Sequence, residues 1–177
     1  SALILSLRRM NRIRSLSAED NLAICEAGVI LSTLHDAAEE VGRRFPLSLG
    51  AKGSATIGGL ISTNAGGTQV LRHGTMRALV EGLEAVLPDG SILNGLDALK
   101  KDNQGYDLKQ LLIGAEGTLG IITAASLRLV PAIAARAVGW VGVASPADAL
   151  ALLRLTEARL GNSVEGFEII ADDGLGH

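Results

Sequence analysis

Aromatic residues are nearly missing from this sequence: two Phe, one Tyr and one Trp make up 2% of 177 residues. With so few rings and a net charge of −3, the chain offers neither base-stacking platforms nor the positive field that phosphate backbones require, so nucleic acid is not an expected partner. A single cysteine, Cys25, leaves no internal disulfide and no Cys-based zinc site, in keeping with a reducing compartment. It sits in an apolar run and reads as a small core hydrophobe. The three histidines, His35, His73 and His177, are too scattered to make a metal site, and none is expected. No stretch of about eighteen apolar residues is free of charge or a glycine break, so no transmembrane helix is expected. The chain opens on Ser1-Ala2-Leu3 without an initiator methionine, and further sequence, with any targeting signal, is expected to precede it.

What the sequence does contain is apolar residues, at 47%, enough for one sizeable core or one core plus part of a second. Residues 3–7, 12–16 and 22–27 are short apolar or β-prone runs, the last two split by the polar turn Ser17-Ala18-Glu19-Asp20-Asn21, so strands joined by a hairpin are predicted. The basic stretch Arg8, Arg9, Arg12 and Arg14 reads as a solvated strand face. Thr33 and Asp36 have the capping-box spacing, Leu34, Ala37, Ala38 and Val41 follow at helical period, and Gly42 is a stop, which predicts a helix over 33–41.

From residue 47 to 74 glycine falls at 50, 53, 58, 59, 66, 67 and 74 with almost no charge between, a texture that predicts loop and short turns. Residues 79–87 read as a buried strand, Pro88-Asp89-Gly90 as a turn and 91–93 as the partner strand. Asp107 is positioned to cap a short helix that runs through Ile113 and ends at Gly114, and Gly117 and Gly120 flank a turn into a strand over 121–130 closed by Pro131. Beyond Pro131 the pattern restarts: an apolar run 138–143, Ser145-Pro146 as helix cap and first helical residue, a helix to about Leu160, and a strand-like 164–170. This predicts a β-α-β unit, and two domains, 1–131 and 132–177, the second cut short.

The run Gly50-Ala51-Lys52-Gly53-Ser54-Ala55-Thr56-Ile57-Gly58-Gly59 with Asn64-Ala65-Gly66-Gly67 suits close approach of backbone to a flat or anionic ligand, or else plain tight turns. It lacks the Gly-Lys-Ser/Thr ending of a P-loop, and no Gly-x-Gly-x-x-Gly joins a strand to a helix, which disfavours an NTPase or a nicotinamide fold. A third cluster, Glu116-Gly117-Thr118-Leu119-Gly120-Ile121-Ile122, lies where a helix feeds a strand and is placed to wrap the far end of the same ligand. Glu116 either bonds a ligand hydroxyl or caps its turn. Lys52 and Lys109 either offset phosphate charge or remain solvated.

Taken together, Leu49-Gly50-Ala51-Lys52-Gly53-Ser54, Ile57-Gly58-Gly59, Thr63-Asn64-Ala65-Gly66-Gly67, Lys101-Asp102-Asn103, and Gly105-Tyr106-Asp107-Leu108-Lys109-Gln110-Leu111 through Glu116-Gly117-Thr118-Leu119-Gly120-Ile121-Ile122-Thr123 resemble the FAD-linked oxidases of the vanillyl-alcohol oxidase (PCMH) type. Within that family they are most similar to the D-lactate, glycolate and D-2-hydroxyglutarate dehydrogenase branch, over about residues 3–131. The resemblance implies an α+β fold, the second lobe of a two-lobed FAD-binding domain followed by the start of a cap domain. It implies FAD as cofactor, with Gly53, Ser54, Thr56, Ile57, Gly58, Gly59, Asn64, Ala65 and Gly66 along the flavin and ribityl chain, and Gly117, Gly120, Ile121 and Ile122 at the adenosine half, with Glu116 beside them as a further candidate for cofactor binding.

The glycine-rich loop that grips the pyrophosphate in this family belongs to the first lobe, ahead of Ser1, and nothing in residues 1–45 matches it. The family's substrate- and metal-binding His, Glu and Arg residues lie in the cap and near the C-terminus, past His177. No catalytic residue is carried over, and the chain alone is expected to be inactive. His73 stands near the place that approaches the flavin edge in similar proteins and reads first as a packing residue. The implied activity is oxidation of a D-2-hydroxy acid to the 2-oxo acid, with the flavin carrying the electrons; the alternative is a non-catalytic FAD-binding electron-transfer subunit. The partners implied are FAD, a small 2-hydroxy acid and an electron acceptor of unspecified identity, in a cytoplasmic protein, mitochondrial if eukaryotic, with a homodimer as an admissible assembly.

Overall fold

The computed structural model describes residues 4–97 and 105–170; the Lys101-Asp102-Asn103 motif and His177 lie outside them. The hairpin is formed as the sequence predicts, by β1 (Ile13–Ser17) and β2 (Leu22–Glu26), with Asn21 at φ 56° in the turn. The strand expected over 3–7 does not form in residues 4–7. The chain there turns instead, Met10 N–H donating to the Leu7 carbonyl at 2.9 Å and Gly28 N–H to the Met10 carbonyl at 2.7 Å, so the segment folds over the end of β2 rather than lengthening the sheet.

Helix α1 (Leu31–Glu40) starts two residues before the expected Thr33, and its cap is not a side chain. The N–H groups of Leu31 and Ser32 donate to the carbonyls of Ala55 at 2.9 Å and Lys52 at 3.0 Å, so the glycine-rich segment satisfies the orphan donors of α1 from outside. Gly42, at φ 68°, ends the helix as expected. A two-residue strand β3 (Arg43–Arg44) follows.

Within the glycine-rich stretch the structure holds two short helices, α2 (Ile57–Ser62) and α3 (Val70–His73), where only loop and turns were expected, and a third, α4 (Met76–Leu79), follows it and takes up Leu79, the first residue of the expected strand. Tertiary bonds override the poor helix propensity of the glycine pair in α2. Ile57 N–H donates to the Val29 carbonyl at 2.9 Å, Gly58 N–H to the Ala27 carbonyl at 2.7 Å, and the cap residue Thr56 accepts from Gly59 N–H. At the other end Asn64 N–H donates to Ile61 and Ala65 N–H to Leu60, with Asn64 at φ 48°, the bonding pattern of a Schellman motif.

Strands β4 (Val80–Val86) and β5 (Ile92–Gly95) flank the expected turn, where Gly90 takes φ 85°. Helix α5 is limited to Lys109–Leu112, and Asp107 does not cap it: its carboxylate receives the side chains of Lys109 at 2.7 Å and Gln110 at 3.1 Å. Strand β6 (Ile121–Arg128) ends before the expected residue 130, and β7 (Val130–Pro131) leaves the sheet to pair with β3.

The main sheet is antiparallel, in the order β1-β2-β6-β4-β5. Its register places Cys25, Ala125 and Leu83 in one row across β2, β6 and β4, and Glu26, Ala124 and Glu84 in the next. Because neighbouring positions along a strand face opposite ways, the two rows belong to opposite faces. The first joins Leu31, Leu34, Ile57 and Ile61 in the core, where burial pushes the Cys25 thiol up to about 12. The fold is therefore mixed helix and sheet, with an antiparallel sheet.

The other face is polar, and its carboxylates are matched. A bulge between Ile13 and Ser15 turns Arg14 toward both acids, 3.3 Å from Glu26 Oε1 and 3.0 Å from Glu84 Oε2, while Arg12 donates to Glu26 from its backbone at 3.0 Å and from Nη2 at 2.9 Å. Glu26 is itself buried, at 3% exposure. The basic stretch is thus not uniformly solvated, since two of its arginines neutralise strand carboxylates.

Helix α6 (Pro146–Leu160) has Ser145 as N-cap and Pro146 in its first turn, as predicted. The runs 138–143 and 164–170 form no strands, so the expected β-α-β unit is reduced to its helix among the described residues. A strand needs a partner for its backbone groups, and among the described residues no strand pairs with either run.

Candidate cofactor groove

Three segments meet where β2 and β6 run out under α2. The turn from Glu26 through Gly28 hands the chain to α1; α2 lies over β2 and β6; the loop after α5 re-enters the sheet at Ile121. Between them is a groove of about 290 Å³, at the lower end of the size range of ligand sites, about 300–1,000 Å³, and so suited to part of a dinucleotide. Thr56, Gly58, Gly59 and Ser62 form one wall, Gly117, Gly120, Ile121 and Ile122 the other, and Leu5, Leu7, Arg8 and Gly28 the third side.

Two of the three predicted glycine clusters therefore share a surface. The paired glycines of α2 divide the work. A Cβ on Gly58 would stand 2.7 Å from the Ala27 Cβ, so this glycine lets α2 settle on the end of β2. A Cβ on the exposed Gly59 would meet only Thr56 Oγ1, at 3.1 Å, leaving its Cα surface bare toward the groove. Gly117, at φ 78°, has nothing within 4 Å of where a Cβ would be. Since the first-turn N–H groups of α2 are all spent on protein acceptors, what this wall presents to a ligand is close approach and van der Waals contact rather than free donors.

Other predicted residues sit around this groove without lining it. Ile57 is fully buried beneath α2. Gly53 and Ser54 are exposed in the turn that caps α1, with Ser54 N–H bonded to Ala51. Asn64 and Ala65 are engaged in the C-terminal cap of α2, and Gly66 follows them, so this cluster lies at the far end of the helix. Glu116, at φ 51°, donates its N–H to the Ser62 carbonyl at 2.9 Å. Lys109 pairs with Asp107. His73 lies away from the groove, 3.5 Å from Arg44 Nη2.

Leu5, Leu7, Arg8 and Gly28 were not anticipated as lining. Gly28 had a readable signal, a glycine directly after an apolar strand; a Cβ there would come 2.8 Å from the Met10 carbonyl oxygen. Arg8 brings an exposed positive charge to the rim, suitable for offsetting a phosphate. Glu26, two residues before Gly28, stays ionised under its arginines, hydrogen bonds from Arg12 first among the causes, with its carboxyl held down to about 2.

A family model described as FAD binding domain matches residues 1–95, more than half of the chain. A Bos taurus protein named D-2-hydroxyglutarate dehydrogenase, mitochondrial, is 47% identical over 168 residues, covering 95% of this chain and 31% of its own length. A D-2-hydroxyglutarate–pyruvate transhydrogenase of Saccharomyces cerevisiae is 46% identical over 125 residues, covering 71% of this chain and 25% of its own. Among solved structures, an alkyldihydroxyacetonephosphate synthase superposes with a TM-score of 0.61 at 25% identity, over 70% of this chain and 22% of that one. The chain spans about a third of the length of the curated relatives it matches. On this footing, and with the glycine walls meeting in one groove, the chain belongs to the FAD-binding domain family.

Proposed function

We propose that the protein of which this chain is a part is an FAD-dependent dehydrogenase that oxidises a D-2-hydroxy acid, such as D-2-hydroxyglutarate, D-lactate or glycolate, to the 2-oxo acid. The observation that carries the reading is the meeting of Gly59 with Gly117, Gly120, Ile121 and Ile122 across one groove, in a chain whose relatives bear the names of 2-hydroxy acid enzymes. Those residues, with Thr56 and Gly58, would hold one half of FAD against bare backbone, and Gly53, Ser54, Asn64, Ala65, Gly66 and Glu116 would act from the ends of the same elements. When bound, FAD supplies a two-electron acceptor, while the substrate loses a hydride from its α-carbon and a proton from its hydroxyl. The part of this chain is to hold and orient; the groups that take the proton and bind the substrate belong to the rest of the protein.

Residues 1–131 would be a lobe of the FAD-binding domain and 132–177 the opening of a cap. The exposed Val138, Trp140 and Val141, together with a helix α6 that buries only Ala149, are apolar surface of the kind a completed cap would cover. No helix of the described residues is long and apolar enough to cross a membrane, and the relatives named mitochondrial favour that location if the source is a eukaryote. The test is the full-length protein purified with FAD and mixed anaerobically with D-2-hydroxyglutarate, D-lactate or glycolate. Bleaching of the flavin absorbance with formation of the 2-oxo acid is expected; a preparation that no flavin reconstitutes would overturn the proposal.

A further inference from the structure

A second cavity, of about 970 Å³, lies away from the groove, bounded by Arg44 of β3, β7 and the segment that follows it to Val141, the region of α3, α6 through Leu152, Thr156 and Leu160, and residues 163–167. One carboxylate dominates it. Glu165 receives Arg44 Nη1 on Oε2 at 2.9 Å and Arg44 Nη2 on Oε1 at 2.8 Å, a bidentate fork. Gln69 Nε2 adds a bond to Oε2 at 3.0 Å, and Arg72 Nη1 a contact to Oε1. Charge-assisted, two-pronged clamping of this kind is how proteins recognise a free carboxylate, in geometry as well as in charge.

Three features set this cluster apart from an ordinary surface ion pair. Its donors come from separate places, β3 and the start and body of α3, and converge on one point. Arg44 Nε is buried and has no hydrogen-bond partner, so the seat holds a donor that Glu165 leaves unused. The cavity is also positively biased, because Arg44, Arg72 and Arg136 line it against Glu165 alone among the described residues. The carboxylate arrives from residues 164–170, which form no helix or strand among the described residues.

We propose that Arg44, Gln69 and Arg72 form a carboxylate-binding seat filled in cis by Glu165, and that it takes the carboxylate of a small organic acid when Glu165 withdraws. The seat shares no lining residue with the cofactor groove and does not depend on the function proposed above. A tethered occupant competes at an effective concentration on the order of millimolar, so the seat is masked in the native chain and uncovered when Glu165 is removed.

The experiment is calorimetric titration of the full chain with acetate and glutarate, and separately with sulfate and chloride, for the native protein and for Glu165→Ala, Glu165→Gln and the double variant Glu165→Ala/Arg72→Met. The glutamine variant keeps the shape of the side chain should the alanine variant fail to fold. Acetate and glutarate are expected to bind Glu165→Ala, or Glu165→Gln in its place, at least about tenfold more tightly than the native protein, with the gain lost in the double variant. Equal affinity in native and single variants would overturn the proposal. So would a gain that survives Arg72→Met, or sulfate and chloride binding as tightly as the carboxylates, which would reduce the cluster to a general positive field.

Discussion

The backbone N–H of Glu116 donates to the carbonyl of Ser62 at 2.9 Å, and two residues earlier Gly114 N–H donates to the Ile61 carbonyl at 3.0 Å. These acceptors belong to the last turn of α2, where carbonyls have no partner inside the helix. The loop that carries Gly117 is thereby the C-terminal cap of the helix that carries Gly59. Two glycine clusters far apart in sequence become the walls of one groove because each completes the backbone bonding of the other, and the positive φ of Glu116 is part of that fit.

Substituting the two glycines of α2 separates packing from binding. Gly58→Ala drives a methyl to within 2.7 Å of the Ala27 side chain, an overpacking that costs about 1–3 kcal/mol. Its denaturation midpoint is expected to fall whether or not FAD is present. Gly59→Ala meets only Thr56 Oγ1 at 3.1 Å, and the helix propensity alanine gains, up to about 1 kcal/mol, offsets that crowding, so its stability should not fall below the native value. Its methyl enters the groove, and FAD affinity, followed by flavin fluorescence, should drop about tenfold, equivalent to about 1.4 kcal/mol. Unchanged affinity in Gly59→Ala would remove this wall from the cofactor site.

Acid should unfold the protein partly through Glu26. Hydrogen bonds from Arg12, then Arg14, hold its carboxyl down to about 2, against about 4.3 for an unstructured glutamate. A depressed carboxyl favours the folded state while it is ionised, so this share of stability is complete above about pH 4.3 and is lost as pH falls toward about 2. Glu84, also lowered, first by its bond from Arg14, acts in the same direction. Glu26→Gln is expected to be less stable at neutral pH and to lose less on acidification, read from denaturant midpoints across pH 2–6. Parallel pH profiles for the two proteins would show that the Arg12–Glu26 pair contributes nothing.

The sequence was most legible where a signal is local. The turn at Pro88-Asp89-Gly90, the stop at Gly42 and the Ser145-Pro146 start of α6 each depend on backbone preferences of a few adjacent residues, and each formed where expected. It was least legible where the partner comes from elsewhere. Thr33 offered a capping box, yet α1 begins at Leu31 because the carbonyls of Lys52 and Ala55 cap it. Gly58 and Gly59 argued against a helix, yet α2 forms because Ala27 and Val29 accept its first N–H groups. For the groove, the glycine clusters marked both main walls, but the third side, Leu5 to Arg8, is set by a turn under Gly28 that no spacing announced. Arg14 reads as one more exposed charge until the bulge brings it to Glu26 and Glu84.

Asn64 allows the joint between these walls to be weighed. It holds φ 48°, and its Oδ1 accepts from Arg77 N–H at 2.9 Å, while the Arg77 guanidinium donates to the carbonyls of Gln110 and Ile113. Asn64→Gly and Asn64→Ala both delete the side-chain bond, a loss of about 0.5–1.5 kcal/mol. Alanine keeps the cost of a left-handed backbone on a residue with a Cβ, about 1–2 kcal/mol, without the side-chain bonding that offsets it in asparagine, whereas glycine is free of that cost. The alanine variant should therefore unfold at lower denaturant than both the glycine variant and the native protein. Equal midpoints for the two variants would mean that the turn relaxes out of its left-handed conformation, and the end of α2 would then owe its geometry to the Glu116 and Gly114 bonds alone.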